Sequence, residues 1–295
     1  MEQFDPASVR SIRAWLEARG LRPRRGLGQH FLVDRRVVDR IVAAVEPAPG
    51  DLVLEIGPGP GILTRALVEA GARVVAVELD RQLAALLRDT LPAAGAPGTV
   101  EVVEGDALKV DLAGLLAARL RPGARARVAA NLPYYITSPL LFRLLEEDLP
   151  LERIVVMVQR EVADRILAPP GTRAYAALSV AVAYHAEARL VARVPPGAFW
   201  PPPSVDSAVV LLRLRERPPV ATPREALFRV VRAAFGQRRK TLLRALAGGL
   251  RLDGDVVARA LARAGVDGTR RGETLSLAEF AAVADALAGT GGHTG

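Results

Sequence analysis

The sequence predicts an α/β fold in which a doubly wound, mostly parallel sheet is followed by a small all-helical domain. Five short apolar runs alternate with helix-like segments between residues 52 and 158, as expected for strands that are covered on both faces. From residue 223 onward the pattern is helical throughout. We therefore predict a first domain over 1–215, with a basic N-terminal extension over 1–50, and a second domain over 216–295.

The first domain is expected to begin with two helices, over 8–19 and 35–46, because Ser8 and Asp34 precede amphipathic segments as N-caps. The predicted parallel strands follow in chain order at 52–56, 73–78, 99–103, 127–130 and 153–158. Helices are predicted between these strands at about 62–70, 81–91 and 139–147.

The pattern changes after Gln159. Segments 178–194 and 207–214 predict longer, antiparallel edge strands, and the proline-rich stretch 195–203 between them is expected to be rigid and unable to pair in a sheet. A linker is predicted over 216–223, and 289–295 is expected to be a disordered tail. The C-terminal helices are predicted near 223–236, 238–249, 254–264 and 276–288.

Composition excludes several classes of site. Cysteine is absent, and the three histidines, His30, His185 and His293, are too scattered to predict a zinc site, so no metal is expected. No apolar run approaches the roughly 18–20 residues of a membrane span, and the N-terminus does not resemble a secretory signal. These features predict a cytoplasmic protein without a membrane partner.

Positive charge is concentrated at the two ends of the chain. The formal net charge of +8 divides into +4 over residues 1–40, −2 over 41–214 and +6 over 215–295. This asymmetry favours a polyanion bound around a near-neutral catalytic core, although a solvated, arginine-rich surface gives the same pattern.

A glycine cluster, Gly57-Pro-Gly59-Pro-Gly61, follows the first parallel strand directly. Glycine allows a sharp turn and a close approach to a ligand, and this crevice is where doubly wound sheets bind nucleotide-like molecules. The spacing differs from the dinucleotide pattern, and the two prolines remove backbone donors that a pyrophosphate would need. An adenosyl amino acid without phosphate fits better, although a tight strand-to-helix turn is the simpler alternative.

Acidic residues at the ends of neighbouring strands support this interpretation. Glu78, at the end of the second strand, is positioned to accept hydrogen bonds from both ribose hydroxyls. Asp106, after the third strand, is expected to accept from the adenine amino group, and Glu55 to help hold the ammonium group of the ligand.

The fourth strand ends at Asn131-Leu-Pro-Tyr134, beside the predicted cofactor site. Methylating the exocyclic amine of adenine requires oxygen acceptors for its two N–H groups. The Asn131 side chain and a backbone carbonyl at Leu132 or Pro133 meet that need, and Tyr134 offers a stacking face. An ordinary turn is the alternative. Phe199, with Trp200, is predicted to stack on the other face of an extruded base, with a core plug as the alternative.

These residues resemble the ribosomal RNA adenine dimethyltransferases, in the branch that modifies the small subunit. The match runs from about residue 22 to 287. The motifs that carry it are, in chain order, Gly28-Gln-His-Phe-Leu32, Glu55-Ile-Gly-Pro-Gly-Pro-Gly61, Val77-Glu-Leu-Asp80, Gly105-Asp-Ala107, Asn131-Leu-Pro-Tyr-Tyr-Ile-Thr-Ser138, Phe199-x-Pro-Pro-Pro-x-Val-Asp-Ser207, Phe235-x-Gln-Arg-Arg-Lys-Thr-Leu242 and Arg271-x-Glu-Thr-Leu-Ser276. Position 30 is His, where this family's pattern often has Asn.

The resemblance implies a class I, Rossmann-like methyltransferase that uses S-adenosylmethionine and releases S-adenosylhomocysteine. Its implied substrate is a pair of adjacent adenosines in the 3′-terminal hairpin loop of small-subunit ribosomal RNA, in an immature small subunit, and a monomer is expected. The implied cofactor contacts are His30, Leu32, Glu55, Gly57, Gly59, Gly61, Glu78, Asp106 and Asn131. The candidate RNA contacts are Arg24, Arg25, Arg238, Arg239, Lys240 and Arg244, for which a solvated surface is the alternative.

Three other functions compete with this one. The first is dimethylation of a large-subunit adenosine by the antibiotic-resistance branch of the same family. The second is an assembly or RNA-binding factor in which methylation is secondary. The third, a nicotinamide oxidoreductase, is disfavoured by the glycine spacing and by the absence of a catalytic proton relay.

Overall fold

The computed structural model describes residues 4–24, 29–91, 98–237 and 239–289. The chain divides into two compact units. The first contains residues up to 163 together with 188–214, and the second contains 164–187 together with residues from 215 onward. Segment 164–187 was assigned to the first domain from the sequence, whereas it clusters with the C-terminal helices in the structure.

The first unit is built on a seven-stranded sheet with five parallel strands. These strands are β2 (Leu52–Ile56), β3 (Arg73–Glu78), β4 (Thr99–Glu104), β5 (Ala126–Asn131) and β6 (Leu151–Gln159), and they follow β1 (Phe31–Leu32) in the chain. Three more strands, β7 (Ala186–Val194), β8 (Phe199–Trp200) and β9 (Ser207–Leu214), come later. The order across the sheet is β4-β3-β2-β5-β6-β9-β7, with β9 antiparallel to β6.

Among the described residues up to 167, seven α-helices accompany the strands. They are α1 (Val9–Glu17), α2 (Arg35–Val45), α3 (Ile62–Glu69), α4 (Arg81–Thr90), α5 (Leu112–Ala117), α6 (Thr137–Glu146) and α7 (Arg160–Leu167). Ser8 and Asp34 cap α1 and α2 through their side chains, as predicted. Helices α5 and α7 were not predicted from the sequence.

The main core lies between the sheet and helices α2 and α3. Alternate strand residues on one face, such as Val53, Val155 and Val209, join this cluster. The intervening residues of the same strands are buried as well, and every residue of β2 is buried. Both faces of the sheet are therefore covered at its central strands, which explains why those strands are continuous apolar runs in the sequence. The predicted α/β fold is confirmed.

The second unit contains the remaining helices. They are α8 (Ala177–His185), α9 (Arg224–Gly236), α10 (Leu242–Leu250), α11 (Gly254–Arg263) and α12 (Leu277–Ala288). Phe228 and Phe280 are among the buried residues of this unit. The last four helices agree with the four that the sequence predicts.

The prediction of one long strand over 178–194 is wrong in its first half. Residues 177–185 form α8, and only 186–194 form a strand, β7. Six of the nine residues of α8 are buried, so its sequence lacks the polar stripe of an amphipathic helix. An apolar run of this kind cannot be distinguished from a buried strand by periodicity alone.

The prediction that 195–203 cannot pair in a sheet is also wrong at two residues. Phe199 and Trp200 form β8, which pairs antiparallel with β1: Phe31 lies opposite Trp200 and Leu32 opposite Phe199. Phe199 and Trp200 retain backbone N–H groups between the flanking prolines, so a two-residue ribbon is possible there. This ribbon borders the site described next.

Candidate active site

The predicted site residues meet where the direction of strand succession reverses. Strands β3 and β4 lie on one side of β2, and β5 and β6 on the other, so a crevice opens at the carboxyl ends of β2 and β5. A cleft of about 810 Å³ lies there, entirely within the first unit. Its lining includes the predicted residues His30, Leu32, Glu55, Gly57, Gly59, Glu78, Asn131, Leu132, Pro133, Tyr134 and Phe199.

The glycine cluster forms the floor of the cleft on the β2 side. Gly57, Gly59 and Gly61 all have positive φ, at 68°, 57° and 90°. Gly61 caps α3 rather than lining the cleft, and a Cβ atom there would lie 2.6 Å from Leu87 Cδ2. Its role is therefore to permit the turn into α3, whereas Gly57 and Gly59 border the cleft directly.

Glu78 is held by the backbone around it. Its Oε2 accepts from the Gly59 N–H (3.0 Å) and its Oε1 from the Asp80 N–H (2.8 Å). The residue is 6% exposed, and burial raises its pKa while these backbone hydrogen bonds act in the opposite direction. Each oxygen retains capacity for a further donor, so the carboxylate is positioned to accept from a bound ligand.

Glu55 is the most enclosed carboxyl group of the cleft. It is 1% exposed, and burial raises its pKa to about 8, with the negative charge of Glu78 acting in the same direction. The Thr64 hydroxyl lies near enough to lower that pKa, yet neither Glu55 Oε2 nor Thr64 Oγ1 has a hydrogen-bond partner of acceptable geometry among the described residues. At neutral pH this carboxyl group is therefore mainly protonated.

Asn131 ends β5 with its amide oriented by a backbone acceptor. Its Nδ2 donates to the His30 carbonyl oxygen at 3.2 Å, which leaves Oδ1 as an acceptor for another group. Asn131 is level with the glycine cluster, because a Cβ atom at Gly57 would lie 3.6 Å from the Asn131 carbonyl oxygen. The predicted catalytic amide therefore borders the predicted cofactor loop.

The loop after Asn131 distinguishes the two candidate carbonyl groups. The Pro133 carbonyl accepts from the Ile136 N–H (3.2 Å) and from the Thr137 hydroxyl (3.1 Å). The Leu132 N–H donates to the Met157 carbonyl oxygen. The Leu132 carbonyl, in contrast, accepts no hydrogen bond within the described part of the chain. Leu132 is therefore the better second acceptor.

His30 and Tyr134 lie side by side at the edge of the cleft. Their rings stack with centroids 5.9 Å apart. His30 Nδ1 hydrogen-bonds the Pro201 carbonyl oxygen at 2.7 Å, and the Tyr134 hydroxyl bonds Ser207 Oγ at 3.1 Å. Burial raises the pKa of Tyr134, so its hydroxyl stays protonated at neutral pH. Both rings are thus fixed in position by the β8–β9 segment.

Phe199 and Trp200 occupy different environments. Phe199 is 5% exposed and belongs to the main core, although it also lines the cleft. Trp200 packs against Phe31, with ring centroids 6.5 Å apart, and does not line the cleft. Most of the Phe199 side chain is therefore part of the core, as the alternative interpretation expects. The role of Phe199 in stacking on a base stays a prediction.

Asp106 is not among the residues that line the cleft. Its Oδ1 accepts from the Leu108 N–H at 2.9 Å, and its Oδ2 lies 3.8 Å from Lys109 Nζ. After burial, its negative charge is the next cause of the raised pKa of Tyr135, which does line the cleft. Asp106 is therefore close to the cleft, and its predicted contact with adenine stays a prediction.

The predicted RNA contacts differ in their surroundings. Arg24 is paired with Asp80, at 3.5 Å, instead of being free. Arg239, Lys240 and Arg244 are exposed and have no ion-pair partner among the described residues. Arg25 and Arg238 lie outside the described residues.

Nine lining residues were not predicted as site residues from the sequence, and three of them are polar or strongly exposed. Leu79 and Tyr135 are large, apolar or aromatic, and 47% and 52% exposed at the cleft. Gln29 also lines it and donates to Asp80 Oδ2 at 3.3 Å. Two signals in the sequence could have identified two of these residues. Leu79 is an apolar residue directly after the terminal acid of β3, and Tyr135 is the second tyrosine of the loop that follows Asn131.

Within the described residues, no group of three or more His, Asp or Glu side chains is placed to bind a metal ion. None of the helices found there is long and apolar enough to cross a membrane.

Comparison with known proteins finds one family model and several relatives that match nearly the whole chain. The model of the family "ribosomal RNA adenine dimethylase" matches residues 20–288. A protein named ribosomal RNA small subunit methyltransferase A from Pelotomaculum thermopropionicum is 49% identical and covers 98% of each chain. One of the same name from Moorella thermoacetica is 48% identical over 93% of this chain and 96% of its own.

Solved structures agree with this result. A dimethyladenosine transferase from Plasmodium falciparum has a TM-score of 0.72 and 26% identity, covering 88% of this chain and 98% of its own. The 23S ribosomal RNA methyltransferase ErmE has a TM-score of 0.64 and 29% identity, covering 87% and 99%. Both likenesses extend over most of this chain.

Proposed function

Because the chain belongs to the ribosomal RNA adenine dimethylase family, we propose that it dimethylates the N6 amine of two adjacent adenosines in the 3′-terminal hairpin loop of small-subunit ribosomal RNA. Methyltransferases of this type use S-adenosylmethionine in general. We propose the same donor here, with S-adenosylhomocysteine as the product and an immature small subunit as the substrate particle. The proposal includes a monomeric enzyme that acts in the cytoplasm.

The orientation of Asn131 carries this proposal. Its Nδ2 is engaged by the His30 carbonyl, so its Oδ1 remains available as an acceptor in a residue that lines the cleft. The Leu132 carbonyl supplies a second acceptor, since the Pro133 carbonyl is already occupied twice. Two acceptors match the two N–H groups of an adenine amine.

The chemistry follows from that match. The adenine nitrogen is a poor nucleophile because its lone pair is delocalised into the ring. Two hydrogen bonds to Asn131 Oδ1 and the Leu132 carbonyl favour a more tetrahedral nitrogen, whose lone pair then points at the methyl group. When bound, the sulfonium donor would supply that methyl group and leave as a neutral thioether, and the methylated nitrogen would release one of its protons to solvent. The chain's own contribution is positioning and electrostatic stabilisation, without a histidine or cysteine base.

The β2–β3 side of the cleft fits an adenosyl amino acid. Glu78 retains acceptor capacity for ribose hydroxyls, and Gly57 and Gly59 leave room for the ligand beside the backbone. Leu79 and Tyr135 add exposed apolar surface that suits a purine ring. Glu55 is the candidate partner of the ligand's ammonium group, whose positive charge would lower the raised pKa of this carboxyl group and favour its ionised form.

Exposed cations of the second unit are candidates for phosphate contacts. Arg239, Lys240 and Arg244 have no ion-pair partner among the described residues, so an RNA phosphate would not displace an internal contact. Neutralising Arg238, Arg239 and Lys240 together is expected to weaken RNA binding and to lower the salt dependence of that binding. An unchanged salt dependence would show that these residues belong to an ordinary solvated surface and do not contact RNA.

The relatives favour the small subunit as the substrate. The bacterial relatives at 48–49% identity bear a small-subunit name, whereas the large-subunit enzyme ErmE is 29% identical.

The test is methyl transfer from labelled S-adenosylmethionine to unmethylated small subunits. Unmethylated large subunits and naked ribosomal RNA serve as parallel substrates, and the modified nucleotides are mapped afterwards. We expect N6,N6-dimethyladenosine in the 3′-terminal hairpin of the small subunit. Labelling of the large subunit would move the protein to the antibiotic-resistance branch. Absence of transfer, with the cofactor bound, would favour an assembly factor.

A further inference from the structure

A second groove lies beside the cleft in the first unit. We define this α1 groove by Arg13, Leu21, Arg22, Pro23, Trp200 and Pro201. It is open to solvent, and none of these residues lines the candidate active site. Arg13 also precedes the residues that the family model matches.

The groove has the charge of an anion-binding surface. Arg13 and Arg22 are both exposed, and neither has a carboxylate partner among the described residues. Arg10 lies three residues before Arg13 on α1 and is exposed as well. Glu17 is the one acidic residue in the lining, so the local balance is positive.

The groove also has an aromatic wall. Trp200 is partly exposed, and the Arg13 guanidinium lies over its ring at 5.6 Å from the centroid. Leu21, Pro23 and Pro201 supply apolar surface around it. Cations flanking an exposed indole form the combination that binds single-stranded nucleic acid, because phosphates contact the cations and bases stack on the ring.

One residue connects the groove to the active site. Pro201 lines the groove, and its carbonyl oxygen accepts from His30, whose ring stacks on Tyr134 in the cleft. The β1–β8 ribbon continues the same connection, since Trp200 and Phe199 are successive residues and Phe199 lines the cleft. An RNA strand with one base in the cleft would therefore reach the groove with a nearby nucleotide.

We propose that the α1 groove binds a nucleotide that flanks the target adenosine, with Arg13 and Arg22 on its phosphates and Trp200 against its base. The inference rests on the proposed function, because it takes an RNA strand entering the cleft as its starting point. The occupant is single-stranded RNA and not a protein segment, because the lining offers two unpaired cations and a stacking surface.

The first test uses the two tryptophans of the chain, Trp15 and Trp200. In the Trp15→Phe variant all indole fluorescence comes from Trp200, and in the Trp200→Phe variant it comes from Trp15. An unmethylated transcript of the small-subunit 3′-terminal hairpin is titrated into each, with S-adenosylhomocysteine present. We expect quenching of Trp200 that saturates with binding. Unchanged Trp200 emission, or equal quenching of Trp15, would overturn the assignment to this groove.

The second test measures affinity for the same transcript across a range of salt concentrations. The Arg13→Gln, Arg22→Gln double variant should bind at least about fivefold more weakly and lose about 1.4 from its salt slope, at ~0.7 for each single-strand phosphate contact. The matched control is Arg121→Gln, Arg125→Gln, which removes two exposed cations before β5, at the opposite end of the strand from the cleft. The Trp200→Leu variant is measured in the same way, because it removes the indole ring and retains apolar packing against Phe31.

The outcomes separate this proposal from the proposed function. If the enzyme methylates small-subunit RNA and the Arg13/Arg22 variant binds like the control, the groove proposal fails alone. If Trp200 is quenched and the variant binds weakly but no methyl transfer occurs, the groove remains an RNA site and the proposed function fails. An effect confined to whole subunits, with none on the transcript, would point to a ribosomal protein and overturn the proposal.

Discussion

The two sides of the cleft are constructed differently. On the β2–β3 side, Glu78 is buried and bonded by two backbone N–H groups, while Glu55 is almost fully enclosed. On the β5 side, Asn131, His30 and Tyr134 are only partly buried, and each is positioned by a single hydrogen bond from its side chain. The first side is fixed by the fold, and the second by side-chain contacts.

This difference separates binding from catalysis. Every substitution except one to proline keeps the backbone donor, so the cofactor side is expected to tolerate change in its neighbours while responding strongly to change in its carboxylates. On the β5 side, each side chain contributes one contact. Substitutions there should reveal which contact the reaction depends on, and which ones only position it.

The largest effect is expected for Asn131→Ala. It removes the acceptor for one N–H of the target amine and leaves the Leu132 carbonyl alone. Loss of one preorganised hydrogen-bonding group typically costs about 10²–10³ in kcat, and we expect a loss of that size here. Single-turnover methyl transfer to unmethylated small subunits measures it.

Cofactor affinity supplies the control for Asn131→Ala. Since the variant keeps the glycine cluster and Glu78, its affinity for S-adenosylhomocysteine should change far less than its kcat. A kcat within tenfold of the unsubstituted enzyme would remove Asn131 from the catalytic role and weaken the contrast between the two sides.

The next effect is expected for Glu78→Ala, in cofactor binding. Two charge-assisted hydrogen bonds to ribose are lost, and the Gly59 and Asp80 N–H groups lose their acceptor. A single hydrogen bond to a charged group contributes about 1.5–3 kcal/mol, so the loss of two should lower affinity at least about tenfold to a hundredfold. Isothermal titration calorimetry measures the change.

A neighbouring acid provides the matched control for Glu78. Glu104 lies opposite Glu78 in the β3–β4 pairing, at the same end of the sheet, and is exposed. Glu104→Ala makes the same chemical change one strand away and should leave cofactor affinity unaltered. Equal losses in the two variants would mean that general negative charge, and not ribose contact, is responsible.

Glu55 predicts a pH dependence of stability on the cofactor side. Its pKa of about 8 in the folded protein lies above the ordinary value of 4.5, so between these values the folded protein holds a proton that the unfolded chain has released. The contribution to stability is fully present below pH 4.5 and is lost as pH rises towards 8, by at most about 1.4 kcal/mol per pH unit.

Glu55→Gln should remove this dependence. As pH rises from 6 to 8, the free energy of unfolding of the variant should increase by about 1–3 kcal/mol relative to that of the unsubstituted protein. Urea denaturation of the cofactor-free protein at both pH values measures the difference. Parallel pH profiles for the two proteins would show that Glu55 is already ionised at pH 6.

Much of the active site could be predicted from the sequence, because it depends on where strands end. Glu78 and Asn131 each close a parallel strand, and the glycine cluster follows β2 at once, so a parallel sheet brings them to one edge. The family resemblance and the predicted enzyme class are confirmed for the same reason: these motifs occur in order along most of the chain.

What could not be predicted depends on contacts that only the folded chain makes. Segment 177–185 is buried on nearly every side, so it lacks the polar stripe that identifies a helix. Phe199 and Trp200 pair with β1, about 170 residues away in the chain, and no local pattern encodes such a contact. The choice between Leu132 and Pro133 depended on Ile136 and Thr137, which close the loop only in the folded chain.

The smallest effect is expected for His30, which the family resemblance implies as a cofactor contact. Its carbonyl oxygen orients Asn131, whereas its side chain bonds Pro201 and stacks on Tyr134. His30→Ala keeps the carbonyl and removes only the side-chain contacts, so kcat/KM should fall about fivefold, as for the loss of one neutral hydrogen bond of about 1 kcal/mol. His30→Asn, the residue frequent at this position in the family's pattern, should recover most of that loss. If His30→Ala lost as much activity as Asn131→Ala, the imidazole itself would take part in the reaction. That result would contradict our inference that His30 acts mainly through its backbone carbonyl, which positions Asn131.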